Sequence, residues 1–211
     1  MLLYFIRHGE SESNKTRCFA GQLDVPLTEI GFRQAERVVD FFKDIPLSAV
    51  YSSDLCRAMD TVRPTAAAKG LDVIPREDLR EVFAGEWEGM PFEDLPRRYP
   101  EDFRVWQENI GEARCTGGES LAEAAQRAEA AARRIAKAHP NGAVAVATHG
   151  GILRALISLW TTGGTAAMQQ LGWIPNASVC VVEFENDTFR VVEQGASSHL
   201  GELVTELPKT V

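Results

Sequence analysis

The apolar positions along the chain alternate between short continuous runs and longer periodic stretches. Leu2 to Ile6 is a continuous apolar run, as expected of a strand buried on both faces. Ala49-Val50-Tyr51-Ser52, Leu71 to Ile74 and Ala143 to Ala147 are further short runs of this kind. Between them, Phe32, Ala35, Val39 and Phe42 recur at three- and four-residue spacing. This predicts a helix over Glu29 to Lys43 with Thr28 as its N-cap. Ser53 or Asp54 is placed to cap a second helix reaching Lys69, with Gly70 at its C-terminal end and Pro64 expected to kink it. Glu119 to His139 reads as a long Ala-rich helix, with Glu123–Arg127 and Glu129–Arg133 as four-residue acid–base pairs on its solvent side. Further helices are expected over Ile152 to Trp160 and near Thr165 to Leu171. Val179 to Phe184 and Phe189 to Val192, joined by Glu185-Asn186-Asp187, predict an antiparallel hairpin.

This order of elements predicts an α/β fold with three layers, α/β/α. The sheet is mostly parallel, with the antiparallel hairpin at its edge. Two segments fall outside the pattern. Ser11 to Val25 is polar and irregular, and a stretch of that length inside a domain is often functional. From about residue 82 to 118, a Gly- and Trp-containing loop leads into two short helices, Pro91 to Tyr99 and Pro100 to Asn109, each with Pro near its start. We read this as a small helical lid inserted in a single domain spanning residues 1–211. Its aromatics, Phe83, Trp87, Phe92, Tyr99, Phe103 and Trp106, are expected mainly to form the lid's own core, with one or two facing a pocket. The tail after Gly195 is expected to be loosely ordered.

Composition narrows the partners. The 211 residues carry a net charge of -8, which argues against a nucleic-acid surface and requires locally gathered cations for any anionic ligand. The chain starts directly on a strand, without the basic and apolar segments of a signal peptide, and no run is long enough to span a membrane. Cys18, Cys56, Cys115 and Cys180 lack CxxC spacing and read as free thiols in a cytoplasmic protein. No metal site is expected, because the His and Cys residues lack ligand spacing. The hairpin edge, Val179 to Val192, offers a surface for homodimer formation by strand addition.

The chemistry is concentrated where strands end. The first strand runs into Arg7-His8-Gly9-Glu10, and Ala143 to Ala147 runs into Thr148-His149-Gly150-Gly151. In open α/β sheets, ligands bind outside the carboxyl ends of the strands. Gly150-Gly151 also open a helix, whose N-terminus favours an anion. Arg57 follows the second strand and Glu81 the third. Arginine grips phosphate through its planar fork of donors, so two His, two Arg and one Glu together describe a site for a phosphate ester. His139, at a helix end, and His199, in the tail, are expected to play no part. Other phosphate chemistries lack their signatures: there is no G-x-x-x-x-G-K-[ST] loop and no G-x-G-x-x-G. Cys56 has Val62, not Arg, six positions on, and no G-x-S-x-G is present.

Arg7-His8-Gly9-Glu10 with Ser11 and Asn14, Gly21-x-x-Asp24-x-Pro26-Leu27-Thr28-x-x-Gly31, Ser52-Ser53-Asp54-Leu55-x-Arg57, Leu79-Arg80-Glu81, Gly85-Glu86-Trp87-Glu88-Gly89 and Thr148-His149-Gly150-Gly151 together resemble the histidine phosphatase superfamily. The match is closest to its phosphoglycerate-mutase-like branch and spans residues 2 to 190. The resemblance implies a phosphohistidine mechanism without metal or other cofactor. His8 would take the phosphoryl group from a small phosphorylated substrate. Arg7, Arg57 and His149 would hold its oxygens, and Glu81 would act as general acid and base. Asn14 and Ser11 would add phosphate contacts, with Gly21, Gln22 and Gly150 lining the substrate site. Positive neighbours are expected to depress the pKa of His8 and keep it unprotonated.

Within that family, the stretch from Val82 to Gly118 is short and fairly acidic, with Arg97-Arg98 its only adjacent basic pair. It resembles the small phosphatases, including the α-ribazole phosphatase type, more than cofactor-dependent mutases with a longer basic insert. Ala20, where mutases usually have a hydroxyl residue, points the same way. Val82-Phe83-Ala84 departs from the usual Ile-Asp-Phe type and leaves substrate details open. A phosphoglycerate mutase is the alternative, and a non-catalytic module binding a phosphorylated ligand or a protein is the alternative of another class.

Overall fold

The computed structural model describes residues 1–205. Its strands are β1 (Leu2–Arg7), β2 (Ala49–Ser53), β3 (Val73–Arg76), β4 (Ala143–Thr148), β5 (Val179–Glu185) and β6 (Thr188–Ala196). They form one sheet in the order β3-β2-β4-β1-β5-β6. The first four are mutually parallel, whereas β5 runs antiparallel to β1 and β6 antiparallel to β5. The edge strand β3 starts two residues later than the apolar run suggests and carries Pro75, a residue that edge positions tolerate.

Side chains alternate across the sheet, which makes two cores. Leu3 and Phe5 of β1 join Val144 and Val146 of β4 on one face, while Tyr4 and Ile6 join Ala145 and Ala147 on the other. The first face is covered by α6 (Leu121–Ala138) and α7 (Gly150–Thr162). The second is covered by α2 (Glu29–Phe42) and α3 (Cys56–Ala68), which present Val38, Phe42, Ala58, Val62 and Ala66. Ala124, Ala128, Ala131 and Ala132 of α6 are fully buried, so small side chains let this helix lie close to its neighbours. Truncating a residue such as Phe5, fully buried, to Ala costs about 3–5 kcal/mol by the usual cavity cost.

Local signals hold in part. Thr28 caps α2 through Gly31 N, and Ser120 with Glu123 forms a capping box on α6. By contrast, α3 begins after Leu55, and neither Ser53 nor Asp54 caps it. Asp24, from the long polar loop, accepts from Cys56 N at 2.7 Å in their place, and Asp54 pairs with Arg80. Glu129–Arg133 forms as predicted, but Arg127 bonds to Glu119 and Glu123 to Arg114, because both partners lie within reach outside the helix. The polar loop contains a helix, α1 (Glu12–Thr16), closed by a capping box between Ser11 and Asn14. The helix expected near Thr165 is a 3-10 turn over Ala166–Gln170.

The tail departs most from expectation. Strand β6 continues to Ala196, and Ser198–Leu203 forms a 3-10 segment that buries Leu200 against the second core. His199 is half-buried and bonds to Ala177 O, so it is not solvated. The tail's last residues, 206–211, lie outside the described part.

The lid comprises 3-10 turns, α4 (Leu95–Arg98) and α5 (Pro100–Glu108). Trp87, Leu95, Phe103 and Trp106 are buried in it, and Phe19 from the polar loop packs on Trp87, Phe92 and Trp106 with ring centroids 5.2–5.6 Å apart. Among the described residues, no helix is long and apolar enough to cross a membrane.

Candidate active site

The register of two neighbouring strands brings the histidines together. Arg7 of β1 pairs with Thr148 of β4, and His8 N donates to Thr148 O at 3.0 Å. The next residue on each strand is therefore a histidine at the same edge. Their ring centroids lie 5.2 Å apart. Both rings are buried, His8 at 5% exposure and His149 at 0%.

Hydrogen bonds orient both rings. His8 Nδ1–H donates to Gly9 O at 2.7 Å, which leaves Nε2 as the free lone pair. Ser53 Oγ, which accepts from Leu55 N, shares a hydrogen bond of 2.8 Å with His149 Nε2, and His149 Nδ1 is buried without a protein partner. Burial, and then Arg57 and Arg7, push the His8 pKa well below 6.5. Burial, and then Arg57 and His8, do the same to His149. Both imidazoles are neutral at pH 7, in line with the expectation for His8, although desolvation outweighs the cationic neighbours as its cause.

The two arginines are held by carbonyls, not by acids. Arg7 Nη1 donates to Ile174 O at 2.5 Å, and the guanidinium lies 5.2 Å from the Trp173 ring centroid. Arg57 donates to Leu23 O and Gly21 O at 2.7 and 2.8 Å. Burial lowers the Arg7 pKa to about 10, which still leaves it charged at neutral pH. The Nε–H groups of Arg7 and Arg57 are buried without a protein acceptor.

Glu81 sits at the start of α7. Its carboxylate accepts from Gly151 N at 2.9 Å, Ile152 N at 3.1 Å and Val82 N at 3.0 Å. The helix N-terminus thus meets a side-chain anion of the protein itself. A Cβ at Gly151 would stand 2.7 Å from Glu81 Oε1, so a side chain there would displace the carboxylate.

Arg7, His8, Ser11, Asn14, Gly21, Arg57, Glu81 and Gly150 all line one cleft enclosing about 800 Å³ with its open mouth. His149 does not itself line the cleft; it is fully buried, with its ring 5.2 Å from that of His8. Gln22 does not line the cleft: its amide donates to the Glu81 carbonyl at 3.0 Å, bracing the backbone beside the acid. Asn14 Oδ1 accepts from Ser11 N, Ser11 Oγ and Asn176 Nδ2, each at 3.1 Å, which turns its NH₂ group away from those partners. Of the lid aromatics, Phe92 and Trp106 reach the cleft, and Phe83 is exposed.

The segment Trp173–Ser178 has no motif that marks it, yet it clasps the end of β1. Asn176 Nδ2 and Ala177 N donate to His8 O at 3.0 and 3.2 Å, and Arg7 N donates to Ser178 O at 3.1 Å. Ala177 holds φ +57°, a left-handed conformation that costs a non-glycine residue about 1–3 kcal/mol and is found where surroundings enforce it. Its left-handed turn and Asn176 are the available signals, and both are weak. On the other side, the chain at Gly9 touches α2 backbone to backbone. A Cβ on Gly9 would stand 2.8 Å from Gly31 O, and one on Gly31 would stand 2.1 Å from Glu10 O.

With this geometry in place, comparison with known sequences decides the family: residues 3–197 match the histidine phosphatase superfamily, branch 1. The chain belongs to that superfamily. It is 33% identical over 209 residues to phosphoserine phosphatase 1 of Hydrogenobacter thermophilus, covering 99% of each chain. It is 36% identical over 201 residues to phosphoglycerate mutase-like protein 4 of Arabidopsis thaliana, covering 93% of this chain and 86% of the relative. Among solved structures, YhfR of Bacillus stearothermophilus superimposes with a TM-score of 0.90 at 29% identity, covering 94% of this chain and 98% of the other. This histidine phosphatase superfamily member therefore shares its α/β architecture, including the antiparallel edge, with an experimentally solved relative.

Proposed function

We propose that the chain is a phosphomonoester hydrolase working through a phosphohistidine on His8, without a metal. The observation that carries this reading is a set of three buried nitrogens without protein partners, the Nε–H donors of Arg7 and Arg57 and the ring Nδ1 of His149, beside the neutral imidazole of His8. A buried donor without an acceptor costs about 1–3 kcal/mol, so such donors are expected where a ligand supplies the acceptors. Phosphoryl oxygens supply them, and their charge grows most demanding in the transition state.

In the first step His8 Nε2 attacks phosphorus, the bond from phosphorus to the ester oxygen breaks, and its electron pair leaves with that oxygen. Glu81 in its acid form gives the departing oxygen a proton. In the second step water attacks phosphorus, Glu81 as carboxylate takes the water's proton, and the P–N bond returns its electrons to Nε2. Asn14 adds its NH₂ group to the phosphoryl group, whereas Ser11, whose N–H and hydroxyl both donate to Asn14 Oδ1, positions that amide; Gly150 at the start of α7 leaves room for the group.

Hydrolysis is favoured over transfer to a second hydroxyl. The lid contributes apolar Phe92 and Trp106 to the cleft, while its basic pair stays outside, with Arg97 bonded to Asp94. Relatives named as phosphatases support the same choice: phosphoserine phosphatase 1 above, and a mycobacterial glucosyl-3-phosphoglycerate phosphatase, with a TM-score of 0.84 at 28% identity, covering 93% of this chain and 99% of that one.

The test is rapid-quench labelling with a phosphate ester, followed by product analysis. Acid-labile phosphate on His8 and release of inorganic phosphate are expected. Isomerisation of 3-phosphoglycerate outpacing phosphate release, with 2,3-bisphosphoglycerate present, would reverse the choice in favour of a mutase. Binding of phosphate esters without turnover of any, p-nitrophenyl phosphate included, would leave a binding module.

A further inference from the structure

One buried hydroxyl outside the cleft lies between two elements that phosphoryl transfer needs in register. Thr61 stands on α3, one turn beyond Arg57, and is fully buried. Its Oγ1 accepts from Gly9 N at 2.8 Å and donates to Arg57 O at 2.6 Å. The second bond is an ordinary one, since helical threonines often reach the carbonyl four residues back. It fixes the direction of the hydroxyl proton, which leaves the oxygen as an acceptor turned towards Gly9. Packing alone does not call for a hydroxyl at this place, because Ala58 and Val62 beside it on α3 belong to the apolar second core.

The bond to Gly9 joins residues 52 positions apart and closes a short path to the imidazole. Gly9 N is held by Thr61, and Gly9 O accepts from His8 Nδ1 at 2.7 Å. The Gly9 backbone is also pressed against Gly31 O. Any shift of Gly9 therefore carries the carbonyl that orients the ring. At the other end of the path, Arg57 presents its guanidinium to the cleft, and its main-chain carbonyl takes the proton of the same hydroxyl. One oxygen thus ties the residue after His8 to the first turn of α3.

We infer that Thr61 is a positioning residue for phosphoryl transfer, its hydroxyl setting the His8 imidazole in place relative to the Arg57 guanidinium. This rests on the phosphatase reading above. Thr61 does not line the cleft, so it acts only through Gly9 and α3. In-line attack is sensitive to placement, and a displacement of about 1 Å costs about 10²-fold in rate. Binding of the phosphoryl group is less demanding here, because the Arg57 guanidinium is held separately by Leu23 O and Gly21 O. Loss of the hydroxyl should therefore slow the chemical step and leave the affinity for phosphate nearly as it was.

The test sets Thr61→Val, which keeps the side-chain shape and removes the hydroxyl, against Thr61→Ser, which keeps the hydroxyl and removes a methyl group. Two quantities are read in each variant. One is the first-turnover rate constant at saturating p-nitrophenyl phosphate, followed by rapid quench as acid-labile phosphate on His8. The other is the Kd of inorganic phosphate. A rate constant at saturation, unlike an amplitude, does not depend on the folded fraction. Thr61→Val is expected to slow the first turnover by about 10²-fold with phosphate Kd nearly unchanged, and Thr61→Ser to retain most of the rate. Should Thr61→Val not fold, Thr61→Cys takes its place with a smaller slowing, since a thiol of similar size is a weaker donor and acceptor. An unchanged rate constant in the variant without the hydroxyl overturns the inference, as does a loss in Thr61→Ser just as large. A rise in phosphate Kd that accounts for the whole loss also overturns it, and assigns the hydroxyl to binding alone. In each of these cases, turnover by the unsubstituted protein leaves the phosphatase reading standing. Failure of the unsubstituted protein to hydrolyse any ester, p-nitrophenyl phosphate included, removes the phosphatase reading and this inference with it.

Discussion

The floor and the rim of the cleft are built on opposite rules. On the floor, every functional side chain is braced by backbone. Carbonyls hold Arg7 and Arg57, N–H groups hold Glu81, and Gly9 O orients His8. Among the described residues no carboxylate forms an ion pair with either arginine, although Glu81 acts on both, so their donors stay available for a ligand. At the rim, Phe92, Trp106 and Arg17 face the opening with little polar bracing. The difference teaches that the floor, the reacting centre in the proposed function, is preorganised, while whatever sits above it is selected by contact.

The largest effects should therefore come from the floor. His8→Ala is expected to lower turnover at least about 10⁴-fold, the scale on which enzymes lose a nucleophile, as measured with any accepted phosphate ester. Substantial residual turnover in that variant would break the contrast outright. Glu81→Gln should cost about 10²- to 10⁴-fold with an alkyl phosphate. With p-nitrophenyl phosphate, whose leaving group needs no proton, the loss should be much smaller, and equal losses would remove the acid role.

Acid should expose the floor in stability as well. Both histidines are held neutral in the folded protein, with pKa values well below the ordinary 6.5. Above pH 6.5 neither folded nor unfolded chain protonates them. As pH falls below that value, the unfolded chain binds protons that the folded one refuses, so stability declines. Each histidine contributes about 1.4 kcal/mol per pH unit, hence about 2.7 kcal/mol for the pair. Urea midpoints between pH 7 and 5 measure this slope, and His8→Ala should roughly halve it. The smallest effect is expected for Asn176→Ala, which leaves Asn14 and the His8 carbonyl short of a donor. A several-fold rise in KM and a loss of about 1 kcal/mol in stability should follow, read from kinetics and urea melts. An unchanged KM would show that Asn14 needs no such support.

Much of the floor was legible because strand ends announce it. Apolar runs stop at Arg7-His8 and Thr148-His149, and parallel pairing of β1 with β4 converts that coincidence into contact. The sheet edge and the layers follow from the same periodicities. What escaped has a common physical cause. Asn176, Trp173 and Ser53 act through contacts with residues 96 to 168 positions away along the chain or through loop geometry, and no local period marks them. Helix α1 is only five residues long, too short for an apolar stripe, although its Ser11–Asn14 box stood in plain view. The end of β6 and the Ser198–Leu203 segment were underestimated because a single buried leucine anchors them. Gln22 was misplaced since its neighbours Gly21 and Glu81 do line the cleft, while its own amide turns to a carbonyl.

The contact between Gly9 and Gly31 carries a further consequence. The peptide that follows His8 rests directly on the first turn of a helix more than twenty residues downstream, with no side chain between them to act as a cushion. Thermal drift of that helix is therefore transmitted straight to the imidazole's anchor, and a methyl group inserted at position 31 would act as a wedge under the backbone that follows His8. Evolution or an engineer wishing to retune the substrate can rework the lid freely, but this seam must move as one piece.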